Sequence, residues 1–164
     1  MEQKQNSKLD QDKAWLSGFA DGEGCFYVSF TQRDRFKTGI ETRLSFSISQ
    51  KKNSLGALKR VREILEGGAI RYSKADGIYK YETRDQTHIH RRVIPLFQEY
   101  TLHTHKRNDF EYFRQISRLV SQNKHRNINS LRGIIDLAYK MNTRGQRRKY
   151  TKMELLKILE KLKV

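Results

Sequence analysis

Apolar positions change period several times along the chain, and each change marks a new element. Trp15, Leu16 and Phe19 form a narrow helical stripe ending near Ala20, so a helix is expected from Asp10 or Asp12, as its cap, to that point. After Gly24 the period falls to two. Phe26, Val28 and Phe30 alternate with Tyr27, Ser29, Thr31 and Arg33, and Leu44, Phe46 and Ile48 alternate with Arg43, Ser45, Ser47 and Ser49. Two strands are expected, Cys25 to Arg33 and Glu41 to Gln50, each with one oily and one polar face. Helical spacing returns from Lys51 to Glu66 and stops at Gly67-Gly68. A second hairpin follows, with strands 69–74 and 78–84 about an Ala75-Asp76-Gly77 turn. Later helices are expected at 87–100, broken by Pro95, at 105–122, at 129–141, and from the capping-box pattern Thr151-x-x-Glu154 onward. The order is αββαββα with extra C-terminal helices, an α+β fold with a four-stranded antiparallel sheet. Residues 1–9 are expected to be a polar, flexible arm, and residues 10–164 one domain with a basic helical part over 124–164.

Charge narrows the function. The 164 residues carry 34 Lys and Arg against 18 Asp and Glu, a formal net charge of +16. Such an excess points to a polyanionic partner. The polar sheet face is nearly free of acids and rich in hydroxyls and arginines, which suits base edges and phosphates, and a two-stranded ribbon fits a major groove. The expected contact set is Tyr27, Ser29, Thr31, Arg33, Arg35, Lys37, Arg43, Ser45, Ser47, Lys51, Arg71, Ser73 and Lys80. Arg144, Arg147, Arg148 and Lys149, in a basic loop, are expected to hold phosphates. No apolar run approaches the length of a spanning helix, and the first fourteen residues show no signal core, so neither a membrane partner nor secretion is expected. The single cysteine, Cys25, excludes a disulfide framework and fits a reducing compartment, and the five histidines lack the thiolate partners of a zinc site.

The chemistry concentrates in Leu16-Ser17-Gly18-Phe19-Ala20-Asp21-Gly22-Glu23-Gly24. A helix bearing small residues delivers two carboxylates to the lip of a sheet, an arrangement suited to a metal held over a surface. This stretch resembles the signature of the LAGLIDADG homing endonucleases, with Ser17 in place of the usual alanine. The resemblance implies a site-specific double-stranded DNA endonuclease that hydrolyses phosphodiester bonds with Mg²⁺, encoded within a mobile intron. It implies Glu23 as metal ligand and catalytic residue, the Gly22 carbonyl as a second ligand, and Asp21 either supporting the metal or holding the helix end. Gln50-Lys51 matches a Gln-Lys pair of the family, with Gln50 positioning water and Lys51 touching the DNA backbone. Lys106 resembles a family lysine, with His105 the alternative. In the family the small-residue helix face meets its copy. The sequence holds one motif, so a homodimer is expected through Trp15, Ser17, Gly18, Asp21 and Gly22, on a pseudo-palindromic target. The alternatives are an RNA-binding maturase assisting group I intron splicing, with intron RNA as partner, and a catalytically silent DNA-binding regulator. Synthesis in a mitochondrion or chloroplast, or in a bacterial or phage-infected cytoplasm, fits the lack of a presequence.

Overall fold

The structure, a computed structural model, describes residues 2–142 and 148–162. It opens on α1 (Glu2–Glu23), which extends through most of the segment expected to be an arm. Residues 2–13 lack an apolar stripe, but Glu, Gln and Lys are good helix formers and nothing among them stops the helix. Asp10 and Asp12 therefore lie inside α1 and cap nothing. Asp10 accepts the Tyr100 hydroxyl at 2.8 Å, and Asp12 pairs with Arg60.

Strands β1 (Gly24–Gln32) and β2 (Ile40–Lys51) follow, then α2 (Leu55–Ile64) and the hairpin β3 (Ala69–Ser73) and β4 (Ile78–Thr83). The sheet has the order β1-β2-β4-β3. Antiparallel register sets Ile48 opposite Tyr81, Ser47 opposite Glu82 and Arg71 opposite Lys80. Gly77, at φ +65, lets the second hairpin turn, and its N–H donates to the Ser73 carbonyl at 2.9 Å. The segment after β4 begins with α3 (Gln86–His88), loosens into a π turn over Ile89–Val93, and tightens again in α4 (Ile94–Glu99). Pro95 has no N–H to donate and crowds the preceding turn, so the wider winding falls directly before it. Helices α5 (Lys106–Ser121), α6 (Ile128–Ala138) and α7 (Lys152–Lys161) complete the chain. The Thr151–Glu154 capping box forms in both directions.

Contacts group the chain into two compact units, Met1–Phe26 with Ser45–Arg107, and Tyr27–Leu44 with Asn108–Val164. The first is centred on aromatic rings. Phe26, Phe46 and Phe97 meet pairwise at 5.0 to 5.4 Å, Tyr81 lies edge-on to Phe46, and all four are buried. The Tyr81 hydroxyl donates to the Gly67 carbonyl at 3.0 Å, and burial pushes its pKa up. The second unit buries Val28, Phe30, Ile40 and Leu44 of the ribbon, and Phe113, Ile116, Leu131, Ile135, Leu155 and Leu159 of its helices. Its ribbon turn is closed by the Arg33 N–H on the Gly39 carbonyl at 2.8 Å. Gly39, at φ +64, backs onto Leu162 and Ile158 at the end of α7, and an added Cβ would lie 3.1 Å from Leu162.

Candidate functional site

The first unit brings the acidic motif together with the start of α5. The period of α1 turns Leu16, Ser17 and Ala20 inward, whereas Gly18, Gly22 and Glu23 stay exposed. Ser17 donates its hydroxyl to the Tyr100 carbonyl at 2.8 Å, so its side chain is committed within the chain. Trp15 stacks on Phe19 with centroids 5.1 Å apart and carries the Arg60 guanidinium 4.4 Å from its ring. No atom lies within 4 Å of a Cβ added at Gly18 or Gly22, so that stripe of α1 is open. The crowded glycine is Gly24, where an added Cβ would fall 2.6 Å from the Ala20 carbonyl oxygen. Only glycine lets the chain pass from α1 into β1 at that closeness.

The two acids face different surroundings. Asp21 accepts the His103 N–H at 2.7 Å, the Thr104 N–H at 3.1 Å and the Thr104 hydroxyl at 2.6 Å. The same hydroxyl oxygen accepts the Lys106 N–H at 3.2 Å. Asp21 thus ties the end of α1 to the turn that opens α5. Burial alone would raise its carboxyl pKa, but the Thr104 and His103 hydrogen bonds and the charge of His103 outweigh burial and hold it below the ordinary aspartate value. Glu23 is exposed and makes no hydrogen bond or ion pair recorded among the described residues. Between them, the Gly22 carbonyl accepts the Lys106 ammonium at 3.2 Å. His105 is exposed. Gln50 is half-buried opposite Tyr79, and Lys51 is exposed opposite Ile78.

The polar sheet positions are more varied than the sequence suggests. In the first unit Ser47 is buried, Lys80 donates to Glu82 at 2.8 Å, Ser73 donates to Asp76 at 2.9 Å, and Arg71 is exposed. In the second, Tyr27, Ser29, Thr31, Arg148 and Lys149 line one cleft with Tyr139 and Tyr150. Arg148 donates to the Val28 carbonyl at 2.8 Å and the Ala138 carbonyl at 2.5 Å, between the rings of Tyr27 and Tyr139 at 5.3 and 4.7 Å. Lys37 is exposed, and Arg144 and Arg147 lie outside the described residues. The face is also less free of acids than expected. Glu41 lies within 3.1 to 3.7 Å of Arg33, Arg35 and Arg43, and Glu82 pairs with Lys80 and Arg84. Burial would raise the Glu82 carboxyl, but Lys80 and Arg84 outweigh it and hold its pKa below the ordinary glutamate value. Both acids occupy strand positions of the same parity as the basic residues, Glu41 with Arg43 and Glu82 with Lys80, which a sequence reading could have counted.

No helix among the described residues is long and apolar enough to cross a membrane. The chain thus combines an αββαββ core with an acidic turn between α1 and β1 and a lysine at that turn. The family model of the LAGLIDADG endonucleases matches residues 16–117, and the chain belongs to that family. Among curated relatives, the probable intron-encoded endonuclease 2 of Neurospora crassa is 27% identical over 130 residues, 79% of this chain and 29% of that protein. An uncharacterized cox1 intron-2 protein of Schizosaccharomyces pombe is 32% identical over 120 residues, 73% of this chain and 35% of that protein. The chain thus spans about a third of the length of these two relatives. The archaeal intron-encoded homing endonuclease I-Vdi141I, solved with DNA, superposes with a TM-score of 0.84 at 26% identity, covering 94% of this chain and 98% of that one. The homing endonuclease I-TnaI gives 0.79 at 29% identity, covering 92% and 97%.

Proposed function

We propose that this chain is an intron-encoded, homodimeric, Mg²⁺-dependent endonuclease that hydrolyses double-stranded DNA at a long, roughly palindromic site. The observation that carries the reading is the division of labour between the carboxylates at the end of α1. Asp21 is consumed by backbone and hydroxyl donors, which leaves Glu23 exposed beside the Gly22 carbonyl. Two hard oxygen donors suit Mg²⁺, and no cluster of three metal-ligating side chains exists among the described residues. Glu23 and Gly22 would therefore hold part of a shell whose other positions fall to water, to phosphate oxygens and to a second copy of the chain. When bound, the ion supplies Lewis acidity at the phosphate and a more acidic water.

The chain's own groups do the rest. Lys106 reaches the acidic turn at the Gly22 carbonyl; once that oxygen takes the metal, its ammonium would turn to the cleaved phosphate and offset the charge gained there, and this nearness favours it over His105. Gln50 is assigned to orient water and Lys51 to grip the backbone. The open stripe of Gly18 and Gly22 suits close approach of a second α1, which a second copy of this chain would supply. Base reading falls to the exposed polar side chains of the sheet, and non-specific affinity to the charge of +16. Intron encoding is supported by the names of the fungal relatives.

The test is a randomised duplex library incubated with Mg²⁺ and either the parent protein or Glu23→Gln. Cuts by the parent alone, centred on a near-palindromic sequence, are expected. Selective binding without cutting by either protein would instead leave a DNA-binding regulator. Tight binding to structured RNA with no DNA preference would make the chain a splicing helper.

A further inference from the structure

We infer that Glu41 is a specificity-determining positioning residue, which holds Arg33, Arg35 and Arg43 as a fixed donor array for base edges and keeps them from grasping phosphates. The inference rests on the DNA-binding reading above. All four residues lie in one ribbon: Arg33 directly follows β1, Arg35 is in the turn, and Glu41 and Arg43 are at the start of β2. The Glu41 side chain is 12% exposed, whereas those of Arg33, Arg35 and Arg43 are 53%, 72% and 49% exposed. The anion therefore lies beneath three cations whose outer faces reach solvent. Arg43 donates to Glu41 Oε1 at 3.1 Å, Arg35 is 3.7 Å from the same oxygen, and the Arg33 Nε is 3.7 Å from Oε2.

Glu41 Oε2 is buried and makes no hydrogen bond among the described residues. A carboxylate so poorly served is costly unless guanidinium charge stays beside it. That cost acts on the arginines as a restraint. The turn stiffens it through the Arg33–Gly39 and Gly39–Phe36 backbone hydrogen bonds at 2.8 Å.

The restraint matters because an arginine near DNA has two kinds of partner. Phosphates are abundant and carry no sequence information, whereas the O6 and N7 of guanine are scarce and demand a fixed bidentate fork. A flexible guanidinium goes to phosphate. One that shares a carboxylate has part of its charge neutralised, and the same carboxylate repels an approaching phosphate. Its outward N–H groups remain aimed along the ribbon face. Glu41 therefore shifts the balance from backbone grip towards base reading, and the base preference falls under Arg43, its closest partner.

The experiment compares the parent and Glu41→Gln for binding to the selected duplex and to a scrambled duplex, each across a salt series. The expected result is tighter binding of Glu41→Gln to the scrambled duplex, a salt slope steeper by about 0.9 for one added phosphate contact, and a specificity ratio reduced about tenfold. In an Arg43→Ala background the same change should no longer affect preference at that base pair. Equal ratios and slopes for parent and Glu41→Gln would overturn the inference while leaving the endonuclease reading intact. A parent without any duplex preference would overturn both. If Glu41→Gln fails to fold, Arg43→Ala decides at an exposed site. Lost preference at one base pair with an unchanged slope sustains the inference, and uniform weakening with a shallower slope overturns it.

Discussion

Asp21 offers the sharpest test, because its role can be read separately as stability, as pH dependence and as activity. Replacing it with Asn keeps one acceptor oxygen but turns an amide N–H₂ towards the donors of His103 and Thr104. At least one charge-assisted hydrogen bond is lost and one backbone N–H is left facing another donor. Hydrogen bonds to a charged acceptor are worth about 1.5–3 kcal/mol each, and capping residues about 1 kcal/mol. The Asp21 carboxylate is part-exposed, so the lower end applies and a loss of about 2 kcal/mol is expected. For a chain of this size that is about 4–8 °C in Tm. The sign of the pH effect follows from the lowered pKa. A carboxyl depressed on folding adds stability above its unfolded value, near 3.9, and that stability is lost as pH falls through the folded value. The difference between parent and Asp21→Asn in urea unfolding should hold constant from pH 7 down to about 5, then shrink below about pH 4. Cleavage should fall as well, because the turn that carries Lys106 to the Gly22 carbonyl loses its anchor. A difference that is absent at pH 7, or that persists unchanged at the acid end, would refute this account. If Asp21 were instead a metal ligand, Asp21→Asn would lose cleavage with little loss of metal-free stability.

Two further outcomes are expected. Gly24→Ala drives a methyl group against the Ala20 carbonyl, so about 1–3 kcal/mol of stability should be lost in chemical unfolding, where an open glycine outside the proposed dimer face, such as Gly56 in α2, would lose nothing by the same change. Arg148→Lys keeps the charge but loses the planar fork that spans Val28 and Ala138 between two rings. A loss of about 1–3 kcal/mol should appear in unfolding and hardly change with salt, whereas a simple phosphate contact would show up only in the salt dependence of DNA binding.

The strands, the hairpin turn and the last helix were legible because each rests on a local rule. Phe26, Val28 and Phe30 alternate, Gly77 takes a positive φ, and Thr151 and Glu154 cap each other across one helical turn. The acidic turn was legible as a motif. What the sequence conceals is where each polar group finds its partner. Asp21 meets Thr104 across 83 positions, and no local pattern separates its fate from that of Glu23. Arg148 reads as one more cation in a basic loop, although the rings that hold it lie on β1 and beside α6. The length of α1 was missed for the opposite reason, since a polar helix has no stripe to announce it.

The ribbon turn has an evolutionary consequence. Gly39 is seated against Leu162 and Ile158, and the turn is pinned at Arg33, so its length and path are fixed from behind. On the DNA-binding reading proposed above, descendants of such a chain would acquire new targets by exchanging side chains at its tip. Lengthening the loop would unseat α7 and cost the scaffold that aims them. Innovation in this part of the molecule is therefore confined to the alphabet and closed to the spacing.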